Sequence, residues 1–218
     1  MDFRKMKKTV TALLAGAVIQ PLAALDFDFT ADPPTAGGKV PMLSLDDDAL
    51  KIGGTRERTA LNFDGKSQIQ VPQSSHLSLK NGLTAALDLD SKDKGDGKNL
   101  QMIIFKRDEW LFYRCGDRVD FMWKSGKKWL SAYRKGMTFD KPHKIVFTLD
   151  QTRKFSFWLD GKLIYSGKTA SAEVPNPPGK ELITLGGGWS GWGFKGDLYR
   201  IKILDQVWNK EQIQEFFK

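Results

Sequence analysis

The sequence predicts an all-β fold: two antiparallel sheets packed face to face as a sandwich, with one short helix at the C-terminal end. Three observations carry this expectation. From Ala60 to Leu204, short runs alternate apolar with polar side chains, which is the period of a half-buried strand. Asp64-Gly65 and Asp160-Gly161 sit between such runs, and Asp-Gly favours tight hairpins because both central positions of a type I′ turn need positive φ. Only the last residues, Lys210 to Lys218, follow good helical spacing.

The elements follow in order. Residues 1–24 read as an export signal. Arg4, Lys5, Lys7 and Lys8 form a basic start, Val10 to Ile19 an apolar stretch, and Ala23-Ala24 a small-residue cleavage site. The apolar run is too short to span a membrane, and no other segment resembles a spanning helix. Cleavage after Ala24 leaves residues 25–218 as one domain. Leu25 to Phe29 alternates as a strand, and Ala31 to Lys39, rich in Pro and Gly, reads as a loop. Ala60 to Phe63 and Ser67 to Val71 flank Asp64-Gly65 and predict a hairpin.

Gly82 to Asp90 predicts a long strand, and Ser91 to Asn99 a polar loop. Residues 100–106, 110–114, 119–123 and 129–133 have the spacing of a meander. Strands at 145–149, 155–159, 163–165, 182–185 and 198–204 complete the pattern. Asn209 caps the helix, Gln212 reciprocates in a capping box, and Ile213, Phe216 and Phe217 form the stripe that docks it.

Composition narrows the function. A chain of this length buries roughly 70% of the surface its unfolded form exposes, so the core needs no disulfide scaffold. Cys115 is the only cysteine, in the apolar context WLFYRCG, and reads as an inert thiol. Export without disulfides fits a bacterial route, with a secreted or periplasmic destination. The formal charge is +8, and losing four bases and one acid with residues 1–24 leaves about +5. The remaining Lys and Arg are spread among acids with no long basic block, and no RNA-binding signature or helical DNA reader is present.

Several segments, in this order, carry a resemblance. They are Leu61-Asn-Phe-Asp-Gly65 with Ile69-Gln-Val-Pro72, Leu83-Thr84 after Gly82, and Ile103-Ile-Phe-Lys106. Pro142-His-Lys-Ile-Val-Phe147, Trp158-Leu-Asp-Gly-Lys-Leu163, Gly196-Asp-Leu-Tyr-Arg-Ile201 and Lys210-Glu-Gln-Ile213 follow. Together they resemble a LamG-like domain of the concanavalin A-like lectin/glucanase superfamily. The chain departs from that pattern by lacking the tryptophan before His143 and by carrying Tyr199 in place of an acid. The resemblance implies a concanavalin A-like jelly roll that recognises glycans or proteins at its surface, in many relatives with calcium.

Catalysis has little support. Some relatives place nucleophile and acid on one strand as Glu-x-Asp-x-x-Glu, and this chain has no such run. Asp108 and Glu109 are the only acidic pair beside an aromatic, and a turn explains them. His76 and His143 build no triad or metal spacing, and His143 is expected to anchor backbone. The expectation is therefore a non-catalytic carbohydrate-binding domain. A protein-interaction or envelope-structural module, and a glycosidase with an unrecognised acid pair, stay as alternatives.

Aromatic residues supply the candidate ligand contacts, since indole faces stack on sugar C–H surfaces. Trp189 and Trp192 lie in the loop GGGWSGWG, either as a platform or as covers of the sandwich edge. Trp158 points opposite to Phe155, Phe157 and Leu159, onto a groove face or a covered second face. Trp110, Trp123 and Trp129 bracket the middle strands, and some of them extend the same surface, with Trp110 a candidate ligand contact. For calcium, Asp93 and Asp96 with Asn99, and separately Asp46 to Asp48, have suitable oxygens. Interleaved Lys92, Lys94 and Lys98 weaken the first of these fields.

Overall fold

A computed structural model describes residues 25–28, 35–37, 51–54, 59–71, 81–92, 100–169, 182–188 and 192–218. The proposed signal, residues 1–24, lies outside them. Fifteen strands and one helix are described. They are β1 (Leu25–Asp28), β2 (Thr35–Gly37), β3 (Lys51–Gly54), β4 (Thr59–Asp64), β5 (Ile69–Val71), β6 (Leu83–Ser91), β7 (Leu100–Lys106) and β8 (Trp110–Cys115). There follow β9 (Arg118–Ser125), β10 (Lys128–Arg134), β11 (His143–Leu149), β12 (Lys154–Leu159), β13 (Lys162–Lys168), β14 (Ile183–Leu185), β15 (Lys195–Leu204) and α1 (Lys210–Phe217).

All pairings between these strands are antiparallel, and they form two sheets. Sheet A has nine strands, in the order β13-β12-β11-β6-β15-β1-β2, with β4 also on β15 and β3 on β4. Sheet B has six, in the order β10-β9-β8-β7-β14-β5. Strand β15 is long enough for two partners on one side, with Lys195 to Leu198 on β4 and Arg200 to Ile203 on β1. Thr35 to Gly37, expected as loop, pairs with β1. Strand β3 was not anticipated, because Lys-Ile-Gly-Gly carries too few apolar residues to show a period.

The core lies between the sheets. Sheet A contributes Leu87, Ile145, Phe147, Phe157 and Ile201, and sheet B contributes Ile104, Phe112, Phe121 and Trp123. Phe121 and Phe147 stack across the gap at 4.3 Å between ring centroids. Helix α1 covers the other face of sheet A. Its Asn209 accepts from the Gln212 N–H at 2.9 Å, and the Gln212 side chain accepts from the Asn209 N–H at 3.0 Å. Ile213 and Phe216 are buried against Ala86 and Val146.

The two Asp-Gly turns differ. Asp160 and Gly161 both have positive φ (48° and 83°) and close the β12–β13 hairpin as expected. The hairpin expected at Asp64-Gly65 does not form: β4 belongs to sheet A and β5 to sheet B. Asp64 Oδ1 accepts the Lys66 and Ser67 N–H groups, each at 2.8 Å, so its carboxylate turns the chain through a corner between sheets. Those bonds lower the Asp64 pKa from 3.8 to about 2. A depressed carboxylate stabilises the fold above its unfolded value and loses that contribution as pH falls through the folded one. Asp64→Ala should therefore flatten the fall in melting temperature between those two values, modestly because solvent screens the group. An unchanged acid profile would contradict this.

Candidate functional site

Because successive strand residues point to opposite faces, β7 to β10 give sheet B a second face turned away from the core. Tyr113, Asp120 and Tyr133 form one cross-strand row, Leu111, Met122 and Ser131 the next, and Lys124 with Trp129 the last. On β7, Met102 sits beside Tyr113 and Phe105 beside Leu111. Met102, Phe105 and Leu111 are buried on this face, with Tyr113, Met122, Trp129 and Trp192 packed against them.

The Gly-rich loop supplies part of that cover. The Met102 N–H donates to the Trp192 carbonyl at 2.9 Å, which ties the loop to β7. Gly188 lies so close to Phe105 that a Cβ there would come within 2.7 Å of the ring. Glycine is required at this position by close approach, and the loop brings Trp192 over the sheet from the β7 side. Trp129 approaches from edge strand β10, with Leu111 and Met122 on the strands between.

A polar cluster adjoins this apolar floor. Asp120 is 0% exposed although it faces outward. The Tyr113 hydroxyl donates to Oδ2 at 2.7 Å, Ser131 Oγ donates to Oδ1 at 2.6 Å, and the Arg118 guanidinium bonds Oδ2. Arg118 also lies 4.1 Å above the Tyr133 ring, and Tyr133 is 46% exposed. Burial, then the Asp120 carboxylate, raise the Tyr113 pKa above its usual value, so the phenol stays a donor at neutral pH. The arrangement presents aromatic surfaces beside a fixed hydrogen-bonding cluster, which suits a ligand with apolar faces and polar edges.

The tryptophans named from sequence are separated by the fold. Trp192 is half-buried on this face, and Trp189 lies outside the described residues. Trp158 does point away from the core, but α1 covers it, and its Nε1 donates to Ser156 Oγ at 2.9 Å. Trp110 is corrected: at 0% exposure, stacked 6.0 Å from Phe121, it is core and offers no face to a ligand. Trp123 is likewise core, while Trp129 faces outward.

The acidic candidates resolve differently. Glu109 turns inward to Lys106 at 2.7 Å, whereas Asp108 turns outward to Lys124 at 2.7 Å, so they do not act as a pair. His143 holds the Asp160 side chain at 2.8 Å rather than backbone. Asp93, Asp96, Asn99 and Asp46 to Asp48 lie outside the described residues. Among the described residues, no group of three or more His, Cys, Asp or Glu could hold a metal. No described helix is long and apolar enough to cross a membrane.

Sequence reasoning missed Tyr113, Arg118, Asp120, Ser131 and Tyr133. Their signal was the shared alternation of three adjacent strands, which places one residue from each in a common row. Crevices also lie elsewhere among the described residues. One of about 250 Å³ lies among Arg114, Asp117, Met137 and Phe139, and one of about 190 Å³ lies between β15 and α1 at Arg200, Lys202 and Trp208. Arg114 is occupied with Gly116, Ser91 and Phe139, and Arg200 with Asp28 and Phe216.

No protein-family model and no curated protein matches the chain. Solved structures do. The binding domain of botulinum neurotoxin serotype G superposes with a TM-score of 0.71 at 13% identity, over 89% of this chain and 50% of that one. A botulinum neurotoxin type C structure, described by its dependence on two ganglioside molecules for cell entry, gives 0.67 at 13%, over 89% and 50%. The neurotoxin DC binding domain in complex with rat synaptotagmin II gives 0.68 at 12%, over 89% and 51%. At such identity the likeness shows the β-sandwich fold. The chain spans about half the length of each of these chains.

Proposed function

We propose that this chain is an exported, non-catalytic, LamG-like domain that binds carbohydrate on the outer face of sheet B. The observation that carries this reading is the juxtaposition of Trp192, Trp129, Tyr113 and Tyr133 with the Arg118–Asp120–Ser131 cluster. Aromatic faces take the C–H surface of a sugar ring, and the cluster orients hydroxyls. Asp120 is the acid at its centre, and both its oxygens are already bonded, so it serves as an organiser rather than a general acid. The neurotoxin type C structure described by its dependence on gangliosides for cell entry, and the neurotoxin binding domain in complex with synaptotagmin, lend support at the level of fold. The order of the quoted motifs supports the LamG-like branch.

A glycan array followed by isothermal titration of the chain without residues 1–24 tests the reading. Trp129→Ala and Tyr133→Ala should each weaken binding about three- to tenfold, the scale of one aromatic contact. Melting should be little changed for the exposed Tyr133 and lowered for Trp129, which also covers Met102, Phe105 and Leu111. Absence of binding to any glycan, with and without calcium, would sink it. A second reading has its own observation: β13 edges sheet A with Leu163 and Tyr165 50% and 40% exposed, a surface for a protein partner. Binding lost on Leu163→Lys rather than Tyr133→Ala would favour it.

A further inference from the structure

The proposed glycan face ends at an edge whose charge is one-sided. Between Asp120 and Asp140 the chain carries Lys124, Lys127, Lys128, Arg134 and Lys135 and no acid. Strand β10 is one of the two edge strands of sheet B, so the fold sets Lys127, Lys128, Arg134 and Lys135 along that rim, with Lys124 on the neighbouring β9. Lys124 is bonded to Asp108, and nearby Arg118 to Asp120. Lys127, Lys128, Arg134 and Lys135 are exposed and have no carboxylate partner among the described residues.

The order along β10 matters as much as the sign. Lys127, in the turn before β10, and Lys128 stand at one end, and Arg134 and Lys135, the latter just past the strand, at the other. Lys128 and Arg134 take the alternate positions, whose side chains leave from the opposite side of this exposed edge strand. Trp129, Ser131 and Tyr133 lie between them on the outward face. At about 3.3 Å per residue, the two cationic ends are roughly 20 Å apart and the two aromatic residues roughly 13 Å. One small anion would engage one end alone. A chain of sugars with repeated negative groups would meet both ends and lay its rings on the aromatics between.

We propose that β10 is the docking strip for a polyanionic glycan, a polysaccharide bearing carboxylate or sulfate groups. This rests on the carbohydrate reading and names the ligand class for the same face. Exposed charges act over roughly a Debye length, about 8 Å at physiological salt, so a ligand seated on the strip feels cations that a neutral one does not.

The test titrates the protein with polygalacturonate, dextran sulfate and neutral dextran, at low and high sodium chloride. Both anionic polymers should bind, more weakly at high salt, and neutral dextran should not; a preference between them separates carboxylate from sulfate. Reversing Lys127 and Lys128 to Glu should weaken that binding about tenfold without altering the melting temperature. Tyr133→Ala should weaken it at both salt concentrations. Equal binding to dextran, or no effect of charge reversal, overturns the strip but leaves the glycan reading standing. No binding to any polymer overturns both. Binding only to phosphatidylserine-doped phosphatidylcholine vesicles, or only to an oligonucleotide, overturns the strip as a glycan site.

Discussion

Replacing Lys106 with methionine is expected to cost about 3–5 kcal/mol of stability, the scale for leaving one member of a buried ion pair alone. Lys106 closes β7 facing into the sandwich, and its side chain is 0% exposed. Glu109, three residues on, meets it at 2.7 Å and is itself 6% exposed. The hairpin between them is tight: the Glu109 N–H donates to the Lys106 carbonyl at 3.2 Å, and the Lys124 N–H donates to the Glu109 carbonyl at 2.7 Å. The backbone therefore holds the carboxylate inside when the ammonium is removed. The pair Lys106→Met/Glu109→Met should recover most of the loss, because well-packed apolar residues often replace a buried pair at no net cost. Urea unfolding of the two variants distinguishes these outcomes, and equal midpoints for the single and double variants would refute the account.

The same pair predicts a pH dependence. Desolvation lowers the Lys106 pKa below 10.5, against the opposing pull of Glu109. A base with a depressed folded pKa gives up its proton in the native state first. In the window below 10.5 the unfolded chain thus binds more protons, and stability rises with pH. That alkaline rise should be present in the parent protein and missing from Lys106→Met.

Strand positions were legible because alternation is a local signal, and most predicted strands coincide with observed ones within a few residues. Facing was harder to read. Trp110-Leu-Phe-Tyr113 and Phe121-Met-Trp123 are apolar on both faces, since Leu111 and Met122 support an outer aromatic layer. Apolar side chains on both sides erase the phase of the alternation, which is why the sequence alone puts Trp110 on the wrong face. The ladder also slips between Met102 and Ile104, so Ile103 and Ile104 both reach the core. Asp64-Gly65 misled for a different reason. An Asp that captures two following N–H groups turns the chain equally well within a sheet or between sheets, and only pairing partners far along the chain decide which.

The candidate face was legible in part. Trp192 was named, yet its partners Arg118, Asp120 and Tyr133 become neighbours only through the register of β8, β9 and β10. The basic edge shows the same dependence: Lys127, Lys128, Arg134 and Lys135 become a rim because β10 has no further strand beside it.

Gly193→Ala is expected to destabilise the fold by about 3 kcal/mol or more, the upper range for forcing atoms into a filled site. A Cβ at position 193 would overlap the carbonyl of Gly65, which is backbone and cannot rotate away. The neighbours of Gly193 are fixed as well. The Phe194 N–H donates to the Gly186 carbonyl at 2.8 Å, the Gly186 N–H to the Ile103 carbonyl at 2.9 Å, and Phe194 is core beside Phe63. The loop thus clamps the corner at Asp64 to strand β7, and an added methyl must pry one from the other. Gly187→Ala is the matched control, since its nearest neighbour is the flexible Gln68 side chain at 3.2 Å and little loss is expected. Gly65→Ala isolates backbone strain: nothing lies within 4 Å, but φ is +89°, a cost of about 1–2 kcal/mol. Chemical unfolding should rank the losses Gly193, then Gly65, then Gly187. Because Trp192 adjoins the clamp, Gly193→Ala should also weaken glycan binding in protein that remains folded, while Gly187→Ala should not. A Gly193→Ala variant as stable as Gly187→Ala would show that the loop is not seated against the corner, and would remove the support that holds Trp192 over sheet B.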